Sequence, residues 1–415
     1  VLHPDTVSMS ELNFNNTSDA FAYKADGELK KARFLFSMMG NRLMLRLGLK
    51  LIPLLMKLRL PLVRGLVKNT IFKQFVGGET LEDTIPLIEK FSSFGVETVI
   101  DYGVEGKTEG DEVFDAAARQ FIDLIRKAAA GRKFSCISIK ATAFMRMELM
   151  EKVDGLMASG DGLLTDTYHQ ALELLEPEEK KEWGLAALRF MEICREGAKN
   201  NIGVWIDAEE TWLQHPVDAL SMLMMEECNK QSAVLFNTIQ LYRHDRLEFL
   251  KECHRYSSHR GFVLGVKLVR GAYMEKERKR ARDKGYSSPI QPDKNASDRD
   301  YDLAVAYCIR HIEDIAVVVA SHNEESCRKA AEEMHRKGMM PDDKRVFFSQ
   351  LMGMSDNITF NLAARGFRAQ KYVPFGPIED VIPYLMRRAE ENSSVKGQTG
   401  RELTLINKEI SRRKK

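Results

Sequence analysis

Val263-Leu264-Gly265-Val266-Lys267-Leu268-Val269 is a largely aliphatic run, closed by Arg270-Gly271 before a highly charged, helix-length stretch begins. A short apolar run bounded by turn residues reads as a buried strand. The same alternation extends in both directions. Runs at 97–102, 135–140, 203–207 and 233–240 precede it, and runs at 316–321, 345–350 and 370–374 follow, with amphipathic helical text between them. Eight strands joined by crossover helices predict an α/β fold of the (βα)8 TIM-barrel type, because parallel neighbours need a helix-length return. An open doubly wound sheet satisfies the same alternation.

The 415 residues include 62 Lys and Arg against 60 Asp and Glu, a net charge of +2, so no global excess points to a nucleic-acid partner. With 44% hydrophobic and 29% charged residues the composition is that of a folded protein, not a collagen-like or disordered one. Cys136, Cys194, Cys228, Cys253, Cys308 and Cys327 form no CxxC pair and read as reduced, packed thiols, which leans towards an intracellular compartment. No metalloprotease spacing is present and His322 has no close second His, so no metal site is expected. GxSxG, GxGxxG and Walker loops are also missing.

Four segments are expected. Residues 1–8 read as an appended leader foreign to the natural chain, with Met9 as its start; 9–94 form a helical N-terminal arm; 95–395 form the barrel; 396–415 form a basic C-terminal tail. No secretory signal is visible after Met9. Between Glu28 and Glu79 the arm has no acidic residue, while Lys30, Lys31, Arg33, Arg42, Arg46, Lys50, Lys57, Arg59, Arg64, Lys68 and Lys73 lie among Leu, Met and Phe. Two readings fit: an arm packed on the barrel with solvated lysines, or a basic amphipathic surface on an anionic membrane. The charge run 276–282 reads as a solvated helix face, and 283–298, with Gly285, Pro289 and Pro292, as a long loop.

In a barrel of this type chemistry sits at the C-terminal ends of the strands. Asp101, Lys140, Asp207, Gln240, Lys267, Arg270, His322 and Asn323 recur at such positions. A single buried Lys or Asp is satisfied equally by a structural ion pair, but recurrence at successive strand ends favours a site. The helix expected at 378–392 carries Tyr384, Arg387 and Arg388, with Tyr372 on the strand before it. Tyr384 and Arg388 are at i and i+4, and two guanidiniums suit a carboxylate. Surface pairing of the arginines with Glu390 and Glu391 is the alternative.

Several strings together resemble one family. Ile206-Asp207-Ala208-Glu209, Val266-Lys267-Leu268-Val269-Arg270-Gly271-Ala272-Tyr273, Ala320-Ser321-His322-Asn323, Gln350-Leu351-Met352-Gly353-Met354, Tyr372-Val373-Pro374-Phe375-Gly376 and Tyr384-Leu385-Met386-Arg387-Arg388 resemble proline dehydrogenase in order and spacing, over roughly 75–395. The resemblance implies a distorted (βα)8 barrel with noncovalent FAD, oxidising L-proline to Δ1-pyrroline-5-carboxylate and passing electrons to a membrane quinone. It implies peripheral attachment to a bacterial inner membrane, or to the matrix side of the mitochondrial inner membrane. By the same correspondence Arg387 and Arg388, aided by Lys140, hold the substrate carboxylate, and Leu351, Tyr372, Tyr384 and Tyr273 enclose its ring. Asp207, Gln240, Lys267, Arg270, Ala272, His322 and Asn323 surround the flavin. Lys267 stands where some relatives have Arg, a departure that replaces a fork of donors by a single ammonium. A pyrroline-5-carboxylate dehydrogenase is expected as a separate protein.

Hydroxyproline dehydrogenase of the same fold is the nearest alternative. Related hydroxyproline enzymes carry a smaller Ser where Tyr372 stands, so Tyr372 favours proline. A flavin-barrel reductase of the methylenetetrahydrofolate type would not need the paired-Arg helix. A noncatalytic membrane-associated barrel would not need the polar strand ends.

Overall fold

The computed structural model describes residues 12–41, 48, 51–52, 55–56, 61–103, 110–131, 133–160, 162–394 and 398–415. The expected leader at 1–8 lies outside them. Eight parallel strands close into a barrel in chain order: β1 (Val96–Tyr102), β2 (Cys136–Lys140), β3 (Gly203–Asp207), β4 (Leu235–Gln240), β5 (Leu264–Val269), β6 (Ile315–Ala320), β7 (Val346–Leu351) and β8 (Ala369–Phe375). Closure excludes the open doubly wound sheet. The strands are apolar without strict alternation because one face fills the barrel and the other meets the helix layer; β4 and β8 are buried throughout. In β5 a side chain at Gly265 would run into the Leu235 carbonyl oxygen, so glycine lets β5 lie against β4.

The chain divides into two compact units, Val1–Glu105 with Phe348–Lys415, and Gly106–Phe347. The first therefore groups β1, β8 and the N-terminal helices, whereas the sequence reading placed a boundary at 94/95. Within it β8 pairs with β1 from Val96↔Ala369 to Tyr102↔Phe375, and with β7 from Phe348↔Ala369 to Leu351↔Tyr372. Arm residues Val67, Ile71, Phe72 and Phe75 are buried in one cluster with Ile378, Val381 and Leu385 of the helix Ile378–Ser394. The packed reading of the arm holds for these residues.

Residues 398–412, expected as part of a basic tail, form a helix whose Leu405, Ile406 and Ile410 pack with Leu29, Ala32 and Phe36 of the helix Asp26–Gly40. The expectation followed the terminal charges and missed the apolar residues at helical spacing. Arg413 donates to the Lys24 and Phe21 carbonyls at 2.8 Å each. Burial raises the Glu409 carboxyl, but bonds from Arg412 and Arg413 outweigh it and hold the group at about 2.

The second unit holds β2 to β6, paired in register, for example Cys136↔Gly203, Val204↔Leu235, Asn237↔Val266 and Leu264↔Ile315. The charge run 276–282 is not simply a solvated face: in the helix Met274–Lys284 the fully buried Glu277 accepts from Thr211 N at 2.7 Å and Thr211 Oγ1 at 2.8 Å, and Arg280 stacks on Trp212 with Cζ 4.1 Å from the ring centre. The loop expected at 283–298 is shorter. Gly285 ends that helix at φ 74°, and Asp293 accepts from Ala296 N at 2.8 Å to start the helix Lys294–Arg310. Cys136, Cys194, Cys253, Cys308 and Cys327 are buried free thiols.

Candidate active site

In the second unit Asp207 and Lys267, at or near the carboxyl ends of β3 and β5, form an ion pair. Ser138 Oγ of β2 donates to Asp207 Oδ1 at 2.8 Å, and Lys140 is the register partner of Asp207. Burial disfavours the charged carboxylate, yet Lys267 and Lys140 outweigh it and hold Asp207 below the usual range. The Lys267 ammonium also lies 5.5 Å from the buried Trp205 ring centre. Lys140, Asp207 and Lys267 are thus brought together, as a site of alternating charges.

Gln240 ends β4 and is 2% exposed. Its Nε2 donates to the Glu209 carbonyl at 2.9 Å, while its buried Oε1 has no partner among the described residues. An orphaned acceptor at a strand end is costly unless something donates to it. Arg270 is more committed than the sequence indicated: Nε reaches Asp298 Oδ1 at 2.6 Å, Nη1 Ser321 Oγ and Nη2 Ser326 Oγ at 2.9 Å, and its plane lies 4.3 Å from the Tyr301 ring centre. Asn323 caps the helix Glu324–Arg336, accepting from Glu325 N at 2.9 Å and Ser326 N at 3.2 Å. His322 immediately precedes that cap, partly buried. Ala272 is exposed and Tyr273 half-buried at the start of the helix Met274–Lys284.

In the first unit the helix Ile378–Ser394 brings Arg388 over Tyr384, with Cζ 5.1 Å from the ring centre, as the i, i+4 spacing requires. Both are buried, at 7% and 9% exposure, so Arg388 is not a surface side chain; Arg387 is half-buried. The side chains of Glu390 and Glu391, the expected surface partners, lie outside the described residues. Leu351, the last residue of β7, and Tyr372, midway along β8, are register partners, and Met352 N donates to the Tyr372 carbonyl at 2.8 Å.

Two groups escaped the sequence reading. Glu209 lies two residues beyond β3, in the Ile206-Asp207-Ala208-Glu209 string, and that position was its only signal. Burial, partly offset by Lys140 and by the Thr142 hydroxyl 2.9 Å away, pushes its carboxyl up to about 7. Lys371 sits next to Tyr372 on β8 and is fully buried, which no local pattern announces.

A closed (βα)8 barrel with charged and amide side chains at successive strand ends is the architecture of a barrel enzyme. The family model for proline dehydrogenase matches residues 84–401. The chain belongs to the proline dehydrogenase family, and is an oxidoreductase of that family. It is 29% identical to "Proline dehydrogenase 1, mitochondrial" of Dictyostelium discoideum, over 99% of this chain and 76% of that one. It is 30% identical to "Hydroxyproline dehydrogenase" of Xenopus laevis, over 84% of this chain and 78% of that one. Among solved structures, proline utilization A from Bdellovibrio bacteriovorus, inactivated by N-propargylglycine, shares the fold with a TM-score of 0.67 and 19% identity, over 93% of this chain. The match spans 37% of that longer protein.

Proposed function

We propose that the chain oxidises L-proline to Δ1-pyrroline-5-carboxylate with noncovalent FAD and delivers the electrons to a membrane quinone. The observation that carries the cofactor is the buried Gln240 Oε1, without a partner among the described residues, on β4 between the two strands that the Lys267–Asp207 pair links. An isoalloxazine ring offers an N–H for such an acceptor and carbonyl oxygens for an ammonium, so the donor set fits. Bound FAD supplies the hydride acceptor for the carbon next to the proline nitrogen.

The remaining work belongs to the protein, which orients and tunes. Arg387 and Arg388, with Lys140, neutralise and orient the substrate carboxylate. Tyr372, Tyr384, Leu351 and Tyr273 exclude water from the ring. Asp207 holds Lys267 in place through their ion pair, and Gln240, Arg270, Ala272, His322 and Asn323 complete the cofactor's surroundings.

For membrane contact, the acid-free basic stretch between Glu28 and Glu79 is joined by Leu62 and Leu66, 90% and 65% exposed. Arg64 and Lys68 pair with Glu79, which leaves less charge for lipid. No described helix is long and apolar enough to cross a membrane. The proposed location is peripheral, on the bacterial inner membrane or the mitochondrial inner membrane, and the name of the Dictyostelium relative includes "mitochondrial". The product, Δ1-pyrroline-5-carboxylate, is the substrate of a pyrroline-5-carboxylate dehydrogenase.

The test is the visible spectrum of the purified protein under anaerobic conditions before and after L-proline, with trans-4-hydroxy-L-proline in parallel. Bleaching of a flavin band by proline is expected. A protein that neither carries nor binds FAD, or a flavin that neither substrate reduces, overturns the reading. The Xenopus relative motivates the second substrate, and Tyr372 favours the first.

A further inference from the structure

Strand alternation that presents Tyr372 to one face of β8 sends Lys371 to the other. There Lys371, 0% exposed, donates to the Met354 carbonyl at 2.6 Å, approaches the Leu351 carbonyl at 3.5 Å, and pairs with Asp356 Oδ1 at 2.9 Å. Asp356 Oδ2 accepts from the Tyr23 hydroxyl at 2.8 Å and lies 3.3 Å from Lys24 Nζ. Glu402, from the C-terminal helix, accepts the Ser355 N–H at 2.5 Å, and Gln74 Nε2 donates to the Gly353 carbonyl at 2.9 Å. The turn 352–355 is held in an unusual shape, with Gly353 at φ 79° and Ser355 at φ 51°; a side chain at Gly353 would overlap the Gln74 carbonyl. Four separate parts of the chain therefore converge on Asp356 and the turn before it, which continues directly from Leu351, the register partner of Tyr372.

An apolar anchor would have filled this space without the cost of desolvating two lysines, an aspartate and a glutamate. What the charges add is direction: an ammonium has three donors, and here they reach the Leu351 carbonyl at the end of β7, the Met354 carbonyl in the turn and one carboxylate. We propose that Lys371 and Asp356, completed by Tyr23, Lys24 and Glu402, are positioning residues that set Leu351 and Tyr372 against the substrate ring. The proposal rests on the assignment of Leu351 and Tyr372 to the ring pocket. Neither Lys371 nor Asp356 needs to touch substrate, cofactor or a reacting atom.

The test uses flavin-loaded enzyme, with rates normalised to bound flavin so that misfolded protein does not count. Lys371→Met should raise the proline KM about tenfold with a smaller change in kcat, and should narrow discrimination against trans-4-hydroxy-L-proline, because a displaced pocket loses orientation before it loses chemistry. Where Lys371→Met fails to fold, Glu402→Ala and Glu402→Gln decide: the first removes the acceptor for Ser355 N–H and should raise KM a few-fold, and the second keeps an acceptor and should restore it. Wild-type KM and discrimination in Lys371→Met, or in Glu402→Ala where that variant decides, overturn the positioning role. Leu351→Ala and Tyr372→Ser are run alongside. If these leave proline KM unchanged, the ring-pocket assignment fails instead.

Discussion

The Lys267 ammonium lies against the Asp207 carboxylate, linking β5 to β3 although β4 runs between them. Inward side chains of a (βα)8 barrel form layers drawn from alternate strands, so side chains of two odd-numbered strands can meet across the interior. Lys267→Met should leave Asp207 paired chiefly with Lys140 and raise its carboxyl towards the ordinary range. Loss of one partner from a buried pair costs about 3 kcal/mol, measurable by urea unfolding, and Lys267→Arg should recover much of it. Equal stability of Lys267→Met and wild type would argue that the pair is solvated.

Arg388 is 7% exposed and held over Tyr384. Arg388→Met should cost at least about 2 kcal/mol of substrate binding, on the order of a thirtyfold rise in proline KM, with FAD retained. Steady-state kinetics with flavin quantified by absorbance checks both halves. Unchanged proline kinetics would remove Arg388 from the carboxylate clamp.

Tyr372 fills its place at 8% exposure. Tyr372→Ser should shift the ratio of kcat/KM for trans-4-hydroxy-L-proline over L-proline upward by roughly ten- to a hundredfold, the range that pocket sterics supply. A ratio that stays at the wild-type value would mean that specificity resides elsewhere.

Stability should peak on the acid side of neutrality. Glu209 and Glu402 are raised from 4.5 to about 7, mainly by burial. Between those values the folded chain holds protons that the unfolded chain has released, so stability falls as pH rises through the window, by up to about 1.4 kcal/mol per pH unit for each group. Asp356 and Glu409 act oppositely. Held at about 2 despite burial, by Lys371 and Lys24 for the one and by Arg412 and Arg413 for the other, they stabilise above their ordinary values and lose that contribution as pH falls towards 2. Thermal unfolding should give a maximum Tm near about pH 5 and a decline towards pH 8, and Glu402→Gln should flatten part of the decline. A flat wild-type profile would refute the assignment.

The strands were legible because a strand announces itself locally: each observed strand begins and ends within two residues of an apolar run picked out by period and flanking turns. The meeting of Tyr384 and Arg388 was equally legible, since one helical turn separates them. The packing of the helix 398–412 was not legible, because terminal Lys and Arg mask Leu405, Ile406 and Ile410, whose partners Leu29 and Phe36 lie far away in the chain.

Local periodicity and motif spacing in the amino-acid order were sufficient for the eight strands, the paired-Arg helix and the polar residues at strand ends. Folding alone set which of those residues share a charge. Asp356 meets Tyr23 from 333 positions away, and Ser355 N–H finds Glu402 47 positions on. Glu209 becomes a near-neutral titrating group because burial outweighs Lys140, whereas Asp207 stays ionised because Lys267 crosses the barrel to it. The two carboxyls are two residues apart in one string, and their different protonation follows from burial and distance to charge, quantities that exist only once the chain has closed on itself.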